Sequence, residues 1–544
     1  MQVSLAYFGR SGVRSDASGQ TFSLAPNLSR EAVAFNAPLL KPLRFREAMS
    51  SLHDVVISDL RYKKKDKTSY REWKQKQQDR EQQVHTETVR TLQEQVQATH
   101  GVSPDLEERY DTARRQYWNA RQEYSDHLRR HDVELWRMLM PCDPVVTVAE
   151  DVVFFECFSA DESSYGCLTV NRDDGFGPAD SVKLGTTNVD YSWDLYNHFQ
   201  ALRSYRHTRF RIDPEGFEVR TKGHENYREE KIDLQQGWLK GFMQLQQSMG
   251  LPMTRVPLSR EAIYSILAFL KRHRSERSPR GVRFELLPGK SPRVVLEPWE
   301  QPIDSHGTIY DGPPVPAIRT WGRRRLLSLA RVLPLAEKFE VYLLGTGLPS
   351  FWVASMGEMR LTLGLSGWTA NDWTRASAME LIAPPARATP PQITLVGEFM
   401  KKARAAVLAN VAGGCHLTDD VAAAALRHLA YSGQLAADLS AGVYRWRQIM
   451  PQIMGEAEMG GEHPELAAAK ELMARRPVKL ESREAGPGGS AILIGNIDNM
   501  PVEVVLDAER NVKRGKCCCE YYRKFSLRNG PCRHMIVLRR LSMA

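Results

Sequence analysis

The spacing of apolar and polar positions changes several times along the chain. Over residues 141–383, strand-like and helix-like spacings both occur, which predicts a mixed α+β body. Short apolar runs rich in β-branched and aromatic residues, such as Val145–Val148 and Val152–Phe158, have the composition of strands. Leu234–Met249 and Arg260–Arg274 instead repeat apolar residues at helical spacing. Further strands are predicted at Gly166–Val170, Val282–Leu287, Arg293–Leu296, Glu340–Leu344 and Phe351–Leu365, and a hairpin over Thr208–Arg220 around Asp213–Gly216.

Residues 1–60 mix Gly, Ser and Pro with short apolar groups. This composition predicts short strands and turns that pack on the body. A helix is predicted to follow from about Phe45, where the apolar residues become more closely spaced.

Residues 61–140 predict a long antiparallel helical hairpin arm. Lys63–His100 is rich in Lys, Gln, Glu and Arg and nearly free of Gly and Pro, which favours a long exposed helix. Gly101 interrupts it, and Ser103 and Pro104 supply the N-cap and first-turn proline of a second helix. The arm either packs on the body or protrudes to dock a partner. The second helix repeats apolar residues in the rhythm of a helix–helix seam at Leu106, Tyr110, Ala113, Tyr117, Ala120 and Tyr124.

Pro384–Pro391, with the sequence PPARATPP, predicts a linker. Beyond it, helical spacing over Leu395–Asn410 predicts one helix. Thr418 is the expected N-cap of a second helix over Asp419–Tyr431, which Gly433 ends.

Residues 434–439 and 443–447 predict a hairpin after the second helix, so residues 392–450 have the element order of a winged helix. A recognition helix presents polar or basic side chains to base edges. The predicted one begins with Asp419 and Asp420 and continues in alanines. This pattern favours a structural or protein-binding role for the winged-helix-like module.

Residues 451–489 are rich in Glu, Gly and Ala and end in EAGPGG. The composition predicts a flexible tether with a helix at Pro464–Ala474. Residues 490–544 would then move relative to the body.

The C-terminal segment contains CxC followed by a spacer and CxH, formed by Cys517, Cys519, Cys532 and His534. Three thiolates and an imidazole are a tetrahedral zinc set, and four protein ligands leave no open position for a substrate. The pattern therefore predicts one structural Zn²⁺.

Other interpretations of these cysteines remain open at this point. A chance cluster is one, and disulfides are another, although disulfides need an oxidising compartment. Met1–Ser15 lacks the basic start and apolar run of a secretory signal. Because Cys518 lies between two candidate ligands, the sequence leaves open whether it replaces Cys517 or Cys519.

The segment from Gly515 to Leu541 resembles the SWIM zinc finger, which has CxC, a variable spacer and CxH, with strands before it and a short helix after it. The β-branched runs Ala491–Ile494 and Val502–Asp507, separated by the turn Gly495–Met500, match those strands. Met535–Leu541 matches the closing helix.

Phrases spread over the chain extend this resemblance to a large class of bacterial SWIM zinc-finger proteins. Examples are SDLRY at Ser58–Tyr62, DESSYG at Asp161–Gly166 and GTGLPSFWV at Gly345–Val353. Members of that class tend to be encoded beside MoxR-type AAA+ ATPases and von Willebrand factor A-domain proteins. The resemblance implies such partners and does not imply a reaction.

The charge of the chain is concentrated at its C-terminus. The formal net charge is +9, and Asn511–Ala544 holds nine Lys or Arg against the single acid Glu520. Tyr521, Tyr522 and Phe525 could stack on bases or fill the small core. The basic residues that we predict to contact phosphates are Arg523, Lys524, Arg528, Arg533, Arg539 and Arg540.

Two functions follow from these features. The first is a non-enzymatic zinc protein that binds nucleic acid, with DNA as the expected type. The second is an adaptor that works with an AAA+ ATPase and a von Willebrand A-domain partner. A catalytic body stays open, since catalytic groups can converge from distant positions, but no nucleophile elbow, Walker loop or HExxH motif occurs. No apolar run reaches the roughly 18 residues of a membrane helix, so a cytoplasmic protein is expected.

Overall fold

The central element of the fold is a large antiparallel sheet that helices and loops cover on both faces. The fold is taken from a computed structural model. It describes the chain outside residues 1–4, 9–10, 17–18, 28–31, 58–111, 113–115, 117–126, 128–143, 160–163, 190–195, 197–198, 201, 206, 213–227, 232–240, 243–244, 247, 276–280, 321, 345–348, 366–387, 450–463, 476–478, 486–490, 507–511, 528–529 and 543–544.

The chain divides into two compact units, Leu60–Met140 and the remainder. The first unit has nearly the boundaries predicted for the arm at 61–140. The helical hairpin itself lies outside the described residues, apart from the helical positions Thr112, Gln116 and His127. It stays a prediction.

Within the described residues, the body (5–57 and 144–365) consists mainly of short strands. The helices whose bounds are described there are Pro42–Val56 (α1), Arg172–Gly175 (α2) and Arg260–Arg272 (α3), with a 3-10 helix at Arg323–Ala330. Its strands are Leu5–Phe8 (β1), Gly12–Asp16 (β2), Gly19–Leu24 (β3), Ala34–Leu39 (β4), Val145–Val148 (β5), Val152–Phe158 (β6), Ser164–Asn171 (β7), Ser181–Lys183 (β8), Gly185–Asn188 (β9), Thr208–Ile212 (β10), Arg228–Lys231 (β11), Met253–Leu258 (β12), Val282–Glu285 (β13), Arg293–Leu296 (β14), Gln301–Asp304 (β15), Ile318–Thr320 (β16), Lys338–Leu344 (β17), Ser350–Met356 (β18) and Met359–Leu365 (β19).

Eight strands form the central sheet in the order β12-β17-β18-β19-β7-β6-β5-β9. Successive side chains of a strand point to opposite faces of the sheet, and those of β6 enter a core on each face. Val153 and Phe155 enter the core that contains α1 and α3. Phe154 and Phe158 enter a second core on the opposite face, which includes Phe242. This burial on both faces explains why the central strands are continuous apolar runs.

Three of the N-terminal strands, β2, β3 and β4, are part of a body sheet. The order of that sheet is β2-β3-β10-β4-β8. The predicted hairpin over Thr208–Arg220 is corrected here, because β10 pairs in parallel with β3 and antiparallel with β4. Both edges of β10 are therefore occupied by N-terminal strands, and residues 213–227 lie outside the described part of the chain. Two smaller sheets have the orders β15-β14-β13-β16 and β1-β11.

The predicted single run Phe351–Leu365 is two antiparallel strands, β18 and β19. Gly357 lies in the turn between them at φ +68, a left-handed conformation that glycine adopts without strain. The strands predicted at Val145–Val148, Val152–Phe158 and Arg293–Leu296 are confirmed with those bounds.

The three-helix module, residues 388–449, follows the body. The predicted helix Leu395–Asn410 is corrected to two helices, because Arg404 takes a left-handed φ of +60 between them. The last residues of the predicted linker begin the first helix of the module. Thr389 forms a capping box, and Pro390 takes the first helical position. The helix predicted at Asp419–Tyr431 is confirmed. The elements are Pro390–Ala403 (α4), Ala405–Ala406 (β20), Leu408–Cys415 (α5), Asp419–Tyr431 (α6), Leu435–Asp438 (β21) and Val443–Trp446 (β22), and the sheet order is β20-β22-β21.

The C-terminal subdomain, residues 464–542, begins inside the segment predicted as a tether. The helix Pro464–Arg475 packs against the last helix of the chain, and the strand Lys479–Ala485 pairs with the strand Ala491–Ile497, so the tether interpretation does not hold from Pro464 to Ala485. These residues are fixed because each element buries apolar groups in the subdomain's core. The elements are Pro464–Arg475 (α7), Lys479–Ala485 (β23), Ala491–Ile497 (β24), Met500–Leu506 (β25), Val512–Cys517 (β26), Glu520–Phe525 (α8) and Arg533–Leu541 (α9).

Helix length and apolarity are the two properties needed to cross a membrane. In the part of the chain that the structure describes, no helix combines them.

Candidate metal centre and basic surface

The four predicted ligands come from three element ends that meet at one point. Cys517 ends β26, and Cys519 is the N-cap of α8. Cys532 is the N-cap of α9, which places His534 in the first turn of that helix. β24 and β25 form a hairpin whose turn residues, Asp498 and Asn499, have φ values of +53 and +62. Such a two-residue turn matches the twist of antiparallel strands. β25 then pairs with β26, the strand that ends at Cys517.

The ligand atoms have the spacing of a metal site. All four lie within 4.8 Å of one another, and all four residues are buried. Nδ1 of His534 is 3.7 Å from Sγ of Cys517 and 4.0 Å from Sγ of Cys532. A tetrahedral ion about 2.3 Å from sulfur and about 2.0 Å from nitrogen separates its ligand atoms by about 3.5–3.8 Å. The group can therefore hold a metal ion with small adjustments.

The electrostatics of the group favour one thiolate, at Cys517, and oppose ionisation of the other two thiols. A hydrogen bond from Cys532, with a further one from His534, lowers the pKa of Cys517 to about 4 despite its burial. The same bond to Cys517, together with burial, raises the pKa of Cys532. Burial also raises the pKa of Cys519. One thiolate is thus favoured within the group, and a bound cation would stabilise the others as thiolates.

Glu465 of α7 supports the helix that carries two of the ligands. Its Oε2 accepts from the backbone N of Arg533 at 2.7 Å and from Arg533 Nε at 3.1 Å. Because this backbone N–H belongs to the first turn of α9, the carboxylate caps the helix start beside Cys532. Sequence reasoning missed Glu465, since it lies in the segment predicted as a tether.

Cys518 is exposed, whereas Cys517 and Cys519 are buried at 7% and 8% exposure. Successive side chains in this extended segment point in opposite directions, so Cys517 and Cys519 face the core and Cys518 faces solvent. Cys518 does not belong to the four-residue group.

The predicted phosphate contacts divide into surface and buried residues. Arg523 and Lys524 are exposed on α8, and Arg540 is half-buried. Arg539 is buried at 6% exposure, and Arg533 is paired with Glu465, so neither offers a free cation at the surface. Arg528 lies outside the described residues.

Two further exposed cations, Arg514 and Lys516, lie on β26 just before the candidate ligands. Lys516 is 3.6 Å from Glu503 of β25 in a solvent-exposed ion pair, which leaves its ammonium accessible to a phosphate. They were not predicted as phosphate contacts, although both belong to the basic tail. Tyr522 donates to the carbonyl of Gly515 at 2.5 Å and packs with Tyr521 against the core. Of the predicted stacking residues, these two tyrosines therefore help to build the subdomain.

Buried charges join the three-helix module to the body. Oε1 of Glu156 on β6 accepts from Nη2 of Arg447 at 3.4 Å and from the hydroxyl of Tyr165 at 2.8 Å. Both charged residues are about 1% exposed. A further contact comes from Gln246, which bridges the two regions through the backbone N of Ala437 at 2.7 Å.

A second set of ion pairs surrounds the hairpin of the module. Arg445 binds Asp151 of the body at 2.6 Å and Asp438 at 2.7 Å. Arg360 of the body also binds Asp438 at 2.7 Å. The hairpin β21–β22 is therefore clamped to the central sheet. These partners lie far apart in the sequence, and no local pattern indicates them.

Comparisons with known proteins do not assign the chain to a family. No family model matches it, and no curated protein matches it. A solved structure of the proliferating cellular nuclear antigen from Entamoeba histolytica is similar at a TM-score of 0.29 and 12% identity, over 41% of this chain and 89% of that chain. The same antigen from Thermococcus kodakaraensis gives a TM-score of 0.27 and 10% identity, over 41% and 89%. At these TM-scores neither a shared fold nor a function follows.

Proposed function

We propose that the C-terminal subdomain is a SWIM-type zinc finger that holds one structural Zn²⁺ and binds nucleic acid. The observation that carries the metal assignment is the burial of three cysteines and one histidine with ligand atoms within 4.8 Å. Thiolate and imidazole ligands in a closed four-ligand site favour zinc over hard cations such as magnesium or calcium. The ion would stabilise the fold and leave no position for substrate.

The basic surface supports the second half of the proposal. Arg523 and Lys524 are exposed on the helix that begins at a ligand, and Arg514 and Lys516 are exposed on the strand that ends at one. Lysine and arginine side chains on a small fold contact backbone phosphates and release counterions. Since the zinc site fixes both elements, metal binding and nucleic-acid binding are expected to be linked.

Titration of the full chain with fluorescent single- and double-stranded DNA and RNA at several salt concentrations tests this function. Replacing Arg523 and Lys524 by Gln should weaken binding and reduce the slope of log K against log salt by about 0.7–0.9 for each phosphate that is no longer bound. Bound zinc should stay unchanged, because neither residue is a ligand. The matched control is Lys401→Gln with Lys402→Gln, which removes two exposed lysines from the end of α4. Absence of binding at low salt, or equal weakening in the control, would refute the nucleic-acid role.

The alternative function is the adaptor, and the three-helix module is the region that favours it. The order of helices and strands in residues 390–446 supports a winged-helix-like fold. The exposed start of α6 carries Asp419 and Asp420, which would repel phosphates. We infer that this module docks protein and does not read bases. An AAA+ ATPase with its von Willebrand A-domain partner is the partner set that the SWIM resemblance implies.

Recovery of such an ATPase with the native protein after nuclease treatment would support the adaptor. Replacing Asp419 and Asp420 by Lys should release that partner and leave nucleic-acid binding by the finger intact. Loss of the ATPase on nuclease treatment alone would make its association indirect and contradict a docking role for the module.

A further inference from the structure

An aromatic and basic cluster lies on the body, where the end of α3 meets the start of the 3-10 helix. The rings of Phe269 and His273 stack with centroids 4.0 Å apart and an interplanar angle of 16°. Trp299 lies edge-on to both, at 5.2 Å from Phe269 and 6.0 Å from His273. The guanidinium of Arg323 covers the Trp299 ring at 4.8 Å. Phe269 and Trp299 are half-buried and His273 is exposed, so the stack reaches the surface.

Three cations near these rings, Arg272, Arg274 and Arg324, have no carboxylate partner among the described residues. Arg272 and Arg274 are exposed and Arg324 is half-buried. Burial, with a contribution from Arg274, lowers the pKa of Arg324. Like charges repel one another, and a bound anion would reduce that repulsion.

Part of the cluster has a structural role. Nη1 of Arg324 donates to the carbonyl of Leu270 at 2.7 Å, and Nη2 of Arg323 donates to the carbonyl of Ser275 at 3.3 Å. These bonds tie the 3-10 helix to the end of α3. Nδ1 of His273 also lies 3.0 Å from the carbonyl of Phe269, so the part of this ring that a ligand can reach is the face turned away from Phe269. The side chains of Arg272 and Arg274 do not take part in the bonds that tie the 3-10 helix to α3, and both are exposed.

The geometry points to a binding site for single-stranded nucleic acid on the body, formed by His273 as the stacking ring and by Arg272, Arg274 and Arg324 as phosphate contacts. A base on the open face of His273 would extend the Phe269–His273 stack. An unpaired base offers a free π-face, whereas a paired base in a duplex is already stacked on both sides. An acidic peptide would use the cations and leave the rings without a role. The site shares no residue with the proposed zinc finger.

The test uses the full chain carrying Arg514→Gln, Lys516→Gln, Arg523→Gln and Lys524→Gln, which removes the exposed cations that we assign to the finger. The probe is a fluorescent oligothymidylate of about twenty nucleotides, which exceeds the site size of most single-strand binders. Arg272→Gln with Arg274→Gln should weaken binding about 20-fold near 0.1 M salt and reduce the salt slope by about 1.4, as expected for two fewer bound phosphates on a single strand. The matched control is Arg260→Gln with Lys290→Gln, two exposed cations elsewhere on the body, which should have no effect.

Replacement of His273 separates stacking from charge. His273→Ala should weaken binding about tenfold and His273→Tyr should restore it, because a ring is worth roughly this much per base. A duplex of the same length and poly-glutamate should bind weakly and be indifferent to both changes. If poly-glutamate bound as tightly as the oligothymidylate and His273→Ala left the affinity for both unchanged, the cluster would be a surface for acidic peptides and the proposed site would be overturned. The body site would also be overturned if the finger variant alone abolished binding and the Arg272 and Arg274 changes caused no further loss. In that case the proposed function of the finger would still stand.

Discussion

The central sheet of the body and the sheet of the C-terminal subdomain bury their strands differently. Every residue of Val152–Phe158 and of Ser350–Met356 is buried, because apolar groups cover both faces of the central sheet. In Ala491–Ile497 buried residues alternate with more exposed ones, down to Ile494 at 40% exposure. The subdomain has one covered face, and its core includes three of its own candidate ligands, Cys517, Cys519 and Cys532.

This difference implies different sources of stability. A sheet buried on both faces gains most of its stability from removing apolar surface from water. A small subdomain with one covered face gains less, and metal ligation commonly supplies the remainder. We therefore expect the ion to determine whether the subdomain folds and to have little effect on the body.

The largest expected effect is that of Cys532→Ser. Structural zinc contributes on the order of 10 kcal/mol to such modules, and Cys532 is the candidate ligand that is fully buried. The variant should lose its metal, and amide exchange should become fast across residues 491–541 and stay slow in β6 and β18. Cys518→Ser is the matched control and should behave as wild type. A Cys532→Ser protein with a full complement of zinc would contradict the ligand assignment.

The stability of the body should depend on its buried ion pair and not on a metal ion. Arg447→Met leaves Glu156 buried without a counter-charge, which typically costs about 3–5 kcal/mol. Urea unfolding of the body should show this loss of stability, and zinc content should not change. Adding Glu156→Gln should recover much of it, since the pair is then removed together. If the double variant were as unstable as the sum of both single variants, the charge pair would not be the cause.

A smaller effect is expected for Glu465→Gln, which weakens the cap on the ligand helix without touching a ligand. Residues that orient metal ligands commonly change metal affinity by 10- to 100-fold, and we expect about tenfold here because Gln can still accept from Arg533. Competition with a chromophoric chelator measures the affinity. Glu484→Gln, an exposed carboxylate on β23, is the control. An unchanged affinity would show that α7 packs on the subdomain without positioning its metal centre.

The smallest expected effect is the acid sensitivity of the clamp between module and body. Burial opposes ionisation of Asp438, but Arg360 and Arg445 lower its pKa below the ordinary 3.8. Because the folded pKa is depressed, this stabilisation is fully present above pH 3.8 and is lost as the pH falls through the lower folded value. Amide exchange in residues 435–446 should therefore accelerate on acidification below about pH 4. Asp438→Asn should reduce that dependence, and Asp438→Asn with Asp151→Asn should remove most of it, because, despite the opposing effect of burial, Arg445 lowers the pKa of Asp151 as well. An unchanged pH profile in the double variant would exclude the clamp as its source.

The sequence predicted the local elements of the body better than their pairing. Val152–Phe158 is a strand because its own residues favour one. The partners of Thr208–Ile212 come from residues 19–39, and nothing within Thr208–Arg220 indicates them. Glycine at 357 and a left-handed Arg404 divide two predicted elements that periodicity alone treats as continuous.

The candidate metal site was accessible from the sequence because its four ligands lie within one short segment at fixed spacings. The groups around it were not, because Glu465 and the burial of Arg539 depend on packing between distant elements. The aromatic and basic cluster at His273 was missed for the same reason, since Trp299 and Arg323 reach it only in the folded chain.

The central claim is that Cys517, Cys519, Cys532 and His534 hold one structural zinc. X-ray absorption at the zinc edge, on full-length protein purified without added metal, tests it most directly. We predict one zinc per chain with three sulfur neighbours at about 2.3 Å and one nitrogen at about 2.0 Å. An oxygen-rich shell, or purified protein that carries no zinc and does not take it up when its thiols are reduced, would contradict it.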